Sequence, residues 1–148
     1  MNRFPSSMES LDSVKHLEEE MVEGSLVFFT DGKPWIVRVQ GRLLPSLKYD
    51  LVLVTLPKIV VDMGAVPHSA NGAQIMRPGI RQIEGQFKND DLVVILDEKY
   101  RKIIALGIAE KDSETMRSMT KGRVIANIHY VGDPLWRSFT LSNRPKID

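Results

Sequence analysis

The stretch that decides the fold lies at residues 61–80 and reads VDMGAVPHSANGAQIMRPGI. Residues 59–62 overlap the start of this stretch, and three of them have β-branched side chains, which favour a short strand. Residues 65–71 are predicted to form a short helix that is entered through Gly64. Gly72 suits the left-handed position that follows a helix C-terminus.

The second half of this stretch is predicted to return as a strand over residues 73–77, until Pro78-Gly79 breaks it. Proline fixes φ and glycine supplies a positive φ, so the pair fits the centre of a type II turn. Arg77 and Arg81 flank the turn and could supply positive charge. The stretch therefore predicts a strand–helix–strand–turn unit.

Such a unit can bind a ligand through its backbone. Glycine and alanine leave peptide groups accessible, so a ribose-phosphate can come close. The start of the helix at Ala65 offers N–H groups and the positive end of a helix dipole, which suit a phosphate. The alternative is that the glycines serve only turn and cap geometry, and the residues alone leave both interpretations open.

The chain before residue 58 is predicted to contain one helix and several strands. Residues 10–23 place apolar side chains at spacings of three and four, which indicates a helix that Gly24 ends. Strands are expected on both sides of the Asp31-Gly32 turn. Residues 51–56 are continuously apolar and predict a strand that is buried on both faces.

The chain after the central stretch adds a hairpin of residues 92–97 and 102–109. A short helix capped by Asp112 follows, and residues 123–130 form a last strand. Several short strands with two short helices favour a small barrel-like α+β domain.

Composition narrows the classes of function. The chain has 148 residues, a net charge of +1 and no cysteine, which excludes disulfide scaffolds, zinc fingers and thiol nucleophiles. Residues 1–24 carry a net charge of −4, and the rest of the chain carries +5. No transmembrane or signal segment is recognised, so a cytoplasmic location is expected.

Motifs of catalysis are missing from the sequence. There is no nucleophile elbow, phosphate-binding loop or dinucleotide fingerprint. The three histidines, His16, His68 and His129, stand far apart and form no spaced pair of metal ligands. Asp90-Asp91 lies in a turn-like context and is interpreted as a solvated loop. We expect no catalytic residue, no metal and no cofactor.

The central stretch carries a family resemblance. Residues 61–65, Gly72-Ala73 and residues 76–80 resemble the signature of the PUA domain, an RNA-binding module. Residues 104–109 and 121–130 are similar to its later strands. The resemblance is closest to the branch of the malignant T-cell amplified sequence proteins and ligatin, covers residues 24–137, and joins two domain signatures in the right order.

The resemblance implies the fold and the binding surface. It implies an α+β protein in which a small N-terminal α/β domain (1–57) is packed on a PUA pseudo-β-barrel (58–137), followed by a C-terminal tail (138–148). Together with the charge argument for the two arginines, it predicts these RNA-binding residues: Gly64, Ala65, Gly72, Ala73, Met76, Arg77, Pro78, Gly79, Arg81, Asn127 and His129.

The function that follows is that of a non-catalytic RNA-binding protein. The resemblance implies recognition of tRNA or small-subunit ribosomal RNA in translation initiation or ribosome recycling, with the small ribosomal subunit as a partner and no membrane. Two alternatives stay open. One is an accessory module of tRNA or rRNA modification, and the other is an adaptor whose N-terminal domain docks a protein through Phe28, Phe29 and Trp35, unless these side chains fill its core.

Overall fold

The structure is a computed structural model that describes residues 17–141. These residues form two compact units. The first contains the described residues up to Thr55 and from Pro134 onward, and the second runs from Leu56 to Asp133. The predicted α+β class is confirmed, because a strand-rich pseudo-barrel and a small N-terminal sheet are both present.

The first unit is built on a four-stranded antiparallel sheet whose neighbours follow chain order. Its strands are β1 (Leu17–Val22), β2 (Ser25–Thr30), β3 (Lys33–Val39) and β4 (Arg42–Pro45). The three connections are Glu23-Gly24, Asp31-Gly32 and Gln40-Gly41, and both residues of each have a positive φ. This is the pattern of type I′ turns, whose twist matches that of the strands that they join.

The strand β1 shows that the helix predicted over residues 10–23 is wrong in its described part. The residues before Leu17 lie outside the described part of the chain, but from Leu17 onward the chain pairs with β2. Glu23-Gly24, with φ of 47° and 84°, reverses a hairpin instead of ending a helix. Leu17 and Met21 are spaced as on the buried face of a helix, but both residues are exposed, by 53% and 71%. Their spacing therefore does not mark a face that packs on the core. Cross-strand pairing, which local periodicity does not report, decides the conformation.

The strand predicted over residues 51–56 is also wrong. The chain instead forms a short helix, α1 (Asp50–Leu53), in which the Val54 N–H donates to the Asp50 carbonyl at 3.1 Å. Val52 is buried, whereas the side chain of Leu51 is 76% exposed. The apolar run therefore covers both faces of a helical turn, and its composition alone could not separate that turn from a buried strand.

The second unit is a curled six-stranded sheet. The elements of this unit are β5 (Lys58–Val61), α2 (Val66–Ser69), β6 (Ile75–Met76), β7 (Ile80–Glu84), β8 (Leu92–Asp97), β9 (Ile103–Ala109), α3 (Ser113–Ser118) and β10 (Arg123–Tyr130), and the first unit then ends in α4 (Pro134–Leu141). The strand order is β6-β10-β9-β8-β5-β7, and all neighbours are antiparallel except β5 and β8, which are parallel. The predicted hairpin and last strand are confirmed.

The core of the second unit lies inside the curl of the sheet, where aliphatic side chains from the strands meet residues of α3. Its buried members are Ile59, Val61, Ile75, Ile80, Phe87, Val93, Ile95, Ala105, Ala109, Met116, Val124 and Ile125. The predicted cap of α3 is confirmed, since Asp112 Oδ1 accepts from the Thr115 N–H at 2.8 Å. This backbone hydrogen bond lowers the pKa of Asp112.

Asp97 closes the hairpin between β8 and β9. Its side chain is buried, and its carboxylate accepts from the backbone N–H groups of Tyr100 and Lys102, the latter at 3.0 Å. Burial by itself raises the pKa of Asp97, but these N–H donors outweigh burial and hold the pKa below its ordinary value. The charged carboxylate therefore stabilises the loop conformation of this hairpin.

Replacing Asp97 by alanine is expected to lower the free energy of unfolding by about 1–3 kcal/mol, because hairpin N–H groups lose their acceptor. The pKa is lowered in the folded state, so the charged form contributes stability above about pH 4, and this contribution disappears as the pH falls through the lower folded value. Urea unfolding from neutral to acid pH measures both effects. Asp97→Asn keeps one acceptor oxygen and should lose less, and an unchanged midpoint for Asp97→Ala would contradict the assignment.

Candidate functional site

A groove of about 780 Å³ opens on the second unit beside α2, β6 and the start of β10. Among the residues predicted for the site, Ala65, Ala73, Met76, Pro78 and Gly79 line it. The other lining residues are Asp62, His68, Ser69, Gln74, Ile75 and Arg123. The stretch of residues 61–80 therefore forms most of its wall.

Asp62 sets the start of α2. Its Oδ1 accepts from the Ala65 N–H at 2.8 Å, and its carbonyl accepts from the Val66 N–H at 3.2 Å. The Ala65 N–H that was expected to meet a phosphate is therefore held by a carboxylate of the protein itself, and this part of the prediction is corrected. A side-chain acceptor followed closely by a helix start is the usual solution for such N–H groups.

Pro78 and Gly79 do not form the predicted type II turn. Arg77–Gly79 is one turn of 3₁₀ helix, and Gly79 does not have a positive φ. The glycine serves close packing instead, because a Cβ added there would lie 3.0 Å from the Ala65 Cβ. Since the Asp62 N–H also donates to the Gly79 carbonyl at 2.9 Å, the turn is held against the start of α2 and narrows the groove.

Gly72 follows α2 with φ of 87°, which confirms the predicted left-handed cap. A Cβ added there would also lie 2.7 Å from Cε1 of Tyr130. The position therefore requires glycine for two reasons: the positive φ of its backbone and the close approach of the loop to Tyr130 on β10. Gly72 supports the groove without lining it.

Asn127 ties β10 to the loop after α2. Its Nδ2 donates to the carbonyls of Ser69 at 2.9 Å and Ala73 at 3.2 Å, and its backbone N–H donates to Oε1 of Gln74 at 2.7 Å. These bonds hold the groove wall in place from behind. Asn127 is therefore a positioning residue in this structure, and it does not line the groove.

Arg123 lies at the rim of the groove, and sequence reasoning missed it. Its Nε and Nη2 donate to the two carboxylate oxygens of Glu110, both at 2.7 Å, while 54% of its side chain stays exposed. The resemblance had placed the last strand on the binding surface, and an arginine at the first position of that strand was the available signal. His68 and Gln74 were missed as well, since nothing in their local sequence distinguishes them.

The two arginines predicted to supply charge do not line the groove. Arg77 is half-buried, and its Nε and Nη1 donate to the carbonyls of Met116 at 2.7 Å and Ile80 at 3.2 Å. Arg81 is exposed, with its Nε 3.7 Å from Glu98 Oε1. Arg77 thus connects the 3₁₀ turn to α3, and its replacement would disturb the fold as well as the charge.

His129 lies beneath the predicted surface instead of on it. Its side chain is fully buried, and its Nδ1 is 2.7 Å from Asp133 Oδ2. Gly64 is exposed just before α2 but is not part of the groove lining. Neither His129 nor Gly64 therefore lines the groove.

Comparison with known proteins identifies the fold. The family model described as "PUA domain" matches residues 57–131, which include the groove and all six strands of the curled sheet. The chain belongs to the PUA domain family. A PUA domain is an RNA-binding module, so the resemblance seen in the central stretch is confirmed, and RNA binding is the general function that membership indicates.

Relatives agree with the branch that the sequence suggested. The chain is 33% identical to an uncharacterized protein of Methanocaldococcus jannaschii, over 90% of this chain and 83% of that protein. It is 31% identical to malignant T-cell-amplified sequence 1 of Rattus norvegicus, covering 85% and 68%. It is also 31% identical to translation machinery-associated protein 20 of Saccharomyces cerevisiae, covering 74% and 65%. Of these three names, that of the yeast protein connects its bearer with the translation machinery.

Solved structures share the PUA fold. A PUA domain from Aeropyrum pernix matches with a TM-score of 0.70 at 29% identity, over 78% of this chain and 67% of that chain. An H/ACA ribonucleoprotein bound to a substrate RNA matches with a TM-score of 0.53 at 30% identity, over 64% of this chain and 28% of that chain. Both comparisons support the pseudo-barrel fold of the second unit.

Residues 17–141 contain neither a cluster of metal-binding side chains nor a helix that could span a membrane. No group of three or more His, Cys, Asp or Glu side chains comes together there as a metal site. Within the same residues, no helix has the length and apolarity needed to cross a bilayer.

Proposed function

We propose that this PUA protein binds tRNA or small-subunit ribosomal RNA through its groove, without catalysing a reaction, during translation initiation or ribosome recycling. The name of the yeast relative, translation machinery-associated protein 20, supports a role in translation. The ribonucleoprotein neighbour with bound RNA supports RNA as the ligand class. The small ribosomal subunit is the partner that we propose, and the cytoplasm is the place.

The observation that carries the proposal is the lining of the groove. Ala65, Ala73 and Gly79 give it a low wall of small residues, and Pro78 adds a flat apolar surface. A base and its ribose can lie against such a wall, because no long side chain holds them off. Arg123 brings a guanidinium to the rim, where a phosphate can compete with Glu110 for its N–H donors.

Modest charge is compatible with this ligand. RNA is recognised largely by shape, by contacts to 2′-hydroxyl groups and by stacked single-stranded bases. A net charge of +1 therefore does not oppose RNA binding when the contacts are concentrated in one groove. It does limit the number of phosphates that the protein neutralises, so we expect a shallow dependence of affinity on salt.

The adaptor alternative loses one of its three anchors. The Phe29 side chain is 1% exposed, and its ring lies 6.4 Å from that of Phe139 inside the first unit. Phe28 and Trp35 are half-buried. We keep a protein partner of the N-terminal domain as a proposal, without Phe29 as a contact. The accessory role in RNA modification is the second candidate, and the H/ACA neighbour favours it.

The test is to crosslink the full chain to RNA in cell extract and to sequence the attached RNA. Enrichment of tRNA or small-subunit ribosomal RNA supports the proposal. Enrichment of guide RNAs of a modification complex favours the second candidate. Recovery of no RNA above a bead control contradicts RNA binding altogether and leaves the adaptor.

Replacing Arg123 by alanine is expected to reduce the slope of log affinity against log salt by about 1, because the variant neutralises one phosphate fewer. Fluorescence anisotropy with labelled tRNA over a salt series measures this slope. Lys88→Ala, which removes an exposed charge that does not line the groove, is the matched control. Equal slopes for wild type and Arg123→Ala would remove Arg123 from the interface. This variant is a sharper test than the Arg77 and Arg81 pair, since Arg77 bonds the backbone of two other segments.

A further inference from the structure

The tip of the β8–β9 hairpin, residues 99–102, carries an aromatic ring among three cations. It reads Lys99-Tyr100-Arg101-Lys102, and the Tyr100 side chain is 64% exposed. Exposed single apolar residues are common on protein surfaces. A ring with basic side chains on both sides is a more specific combination, since it matches the needs of a nucleotide base and its phosphates.

The fold holds this tip in one shape. The Asp97 carboxylate accepts from the N–H groups of Tyr100 and Lys102, and the Asp97 carbonyl accepts from the Arg101 N–H at 3.1 Å. Arg101 has a φ of 56°, and its guanidinium donates to both oxygens of Glu84 on β7 at 2.9 and 2.8 Å. The backbone under Tyr100 is therefore fixed, so presenting the ring to a ligand costs little conformational entropy.

Two of the three cations at the tip are available to a ligand. Arg101 is paired with Glu84. Within residues 17–141, Lys99 and Lys102 make no ion pair with a carboxylate, and both side chains are exposed. The Lys99 Nζ lies 5.2 Å from the centre of the Tyr100 ring. Ring and charge are thus close enough to contact a base and a neighbouring phosphate of one strand.

Glu98, at the base of the tip, is hydrogen-bonded to the two residues that flank Asp62 of the groove lining. Glu98 precedes the tip, and its N–H donates to the Val61 carbonyl at 3.0 Å. Its Oε2 accepts from the Met63 N–H at 2.8 Å. Met63 comes directly after Asp62, which lines the groove, and its side chain is 40% exposed. The base of the tip therefore lies beside the Asp62 end of the groove.

We propose that the tip is a second RNA contact, in which Tyr100 stacks on an unpaired base while Lys99 and Lys102 meet the phosphates beside it. This inference rests on the proposed function, because it takes the groove as the first contact. It specifies the ligand further: an RNA that passes from a structured part into a single strand. Stacking needs a base whose faces are free, which a continuous duplex does not offer.

The experiment compares two labelled RNAs on the full-length chain, a short stem-loop with a single-stranded 3′ extension and the same stem-loop with a blunt end. Wild type is expected to bind the extended RNA more tightly. Tyr100→Ala should weaken that binding about 5- to 150-fold, which is the range of one base–aromatic stack, and should leave the blunt RNA nearly unchanged. Tyr100→Phe keeps the ring and is expected to bind like wild type.

The lysines provide an independent measurement. Lys99→Ala combined with Lys102→Ala should reduce the salt slope for the extended RNA by about 0.7 for each phosphate that is no longer neutralised. Lys88→Ala is the matched control, since Lys88 is also exposed but precedes the opposite end of β8. If Tyr100→Ala changes the fold, seen as a shifted melting temperature, the lysine pair decides the question.

The outcomes separate this inference from the proposed function. If Ala73→Glu, a change in the groove lining, weakens binding but the Tyr100 and lysine variants bind both RNAs like wild type, the tip proposal is overturned and the groove stands. Equal losses on both RNAs would also overturn it, because stacking on the extension is then not involved. If wild type binds neither RNA, both proposals fail.

Discussion

Replacing Ala73 by glutamate is expected to reduce the affinity for RNA about 100-fold while the protein stays folded. Ala73 is exposed and lines the groove, so a longer side chain there has space but brings a carboxylate against the proposed base and ribose, close to the phosphates that they carry. Like charges facing each other at an interface cost on the order of several kcal/mol. Anisotropy with labelled tRNA measures the loss, and circular dichroism with thermal melting checks the fold.

Two controls make this result specific. Ala73→Ser changes the size of the side chain without charge and is expected to bind within a few-fold of wild type. Gln86→Glu adds the same carboxylate to an exposed residue outside the groove lining and should change affinity little. If Ala73→Glu binds RNA as wild type does, or if Gln86→Glu weakens binding equally, the groove is not the site.

Replacing Gly107 by alanine is expected to be the most destabilising single-methyl change in the second unit. Gly107 lies on β9 and pairs with Asn127 on β10. A Cβ there would lie 2.5 Å from Ile125 Cγ2, 3.0 Å from the Ala126 carbonyl oxygen and 3.1 Å from Ile95 Cδ1. Two core side chains and a backbone carbonyl must then move, so we expect a loss of about 1–3 kcal/mol or more in the free energy of unfolding.

Urea unfolding at neutral pH measures this loss. Gly64→Ala is the control, because Gly64 has no positive φ and the nearest atom to its added Cβ is a side-chain oxygen at 3.3 Å. A double variant with Ile125→Ala, which removes the closest methyl group, should lose less than the sum of the two single variants. Additive losses would show that Ile125 is not the source of the strain, and a Gly107→Ala midpoint equal to that of wild type would contradict the predicted clash altogether.

Gly107 also affects the groove, because the neighbouring strand β10 carries Asn127, which holds the groove wall in place. Asn127 stands opposite Gly107 and holds the carbonyls of Ser69 and Ala73. A shift of β10 away from β9 therefore moves the wall of the groove as well. We expect RNA binding by Gly107→Ala to fall even at temperatures where the variant remains folded.

The assignment of functional domains to residues 1–57, 58–137 and 138–148 stays a proposal. The helix α4 belongs to the first compact unit, and there the Lys48 Nζ lies 4.2 Å from the centre of the Trp136 ring. The groove proposal does not depend on how that unit contributes to function.

Much of the second unit was determined by the sequence alone, because its signals are local. Gly72 and Asp112 indicate a helix cap through the φ or the acceptor that the backbone itself requires. The hairpin of β8 and β9 and the last strand follow from alternating and apolar runs beside turn residues. The family resemblance added a predicted binding surface, and five of its eleven residues line the groove, namely Ala65, Ala73, Met76, Pro78 and Gly79.

Only the tertiary structure decided the features that depend on partners far away in sequence. Residues 17–22 look helical by spacing, and their pairing with β2 makes them a strand. His129 becomes a buried partner of Asp133, while Arg123, passed over in the sequence, reaches the groove rim. The physical reason is the same in each case: the burial of a side chain and the partner of a hydrogen bond are fixed by packing between segments, which local sequence does not encode.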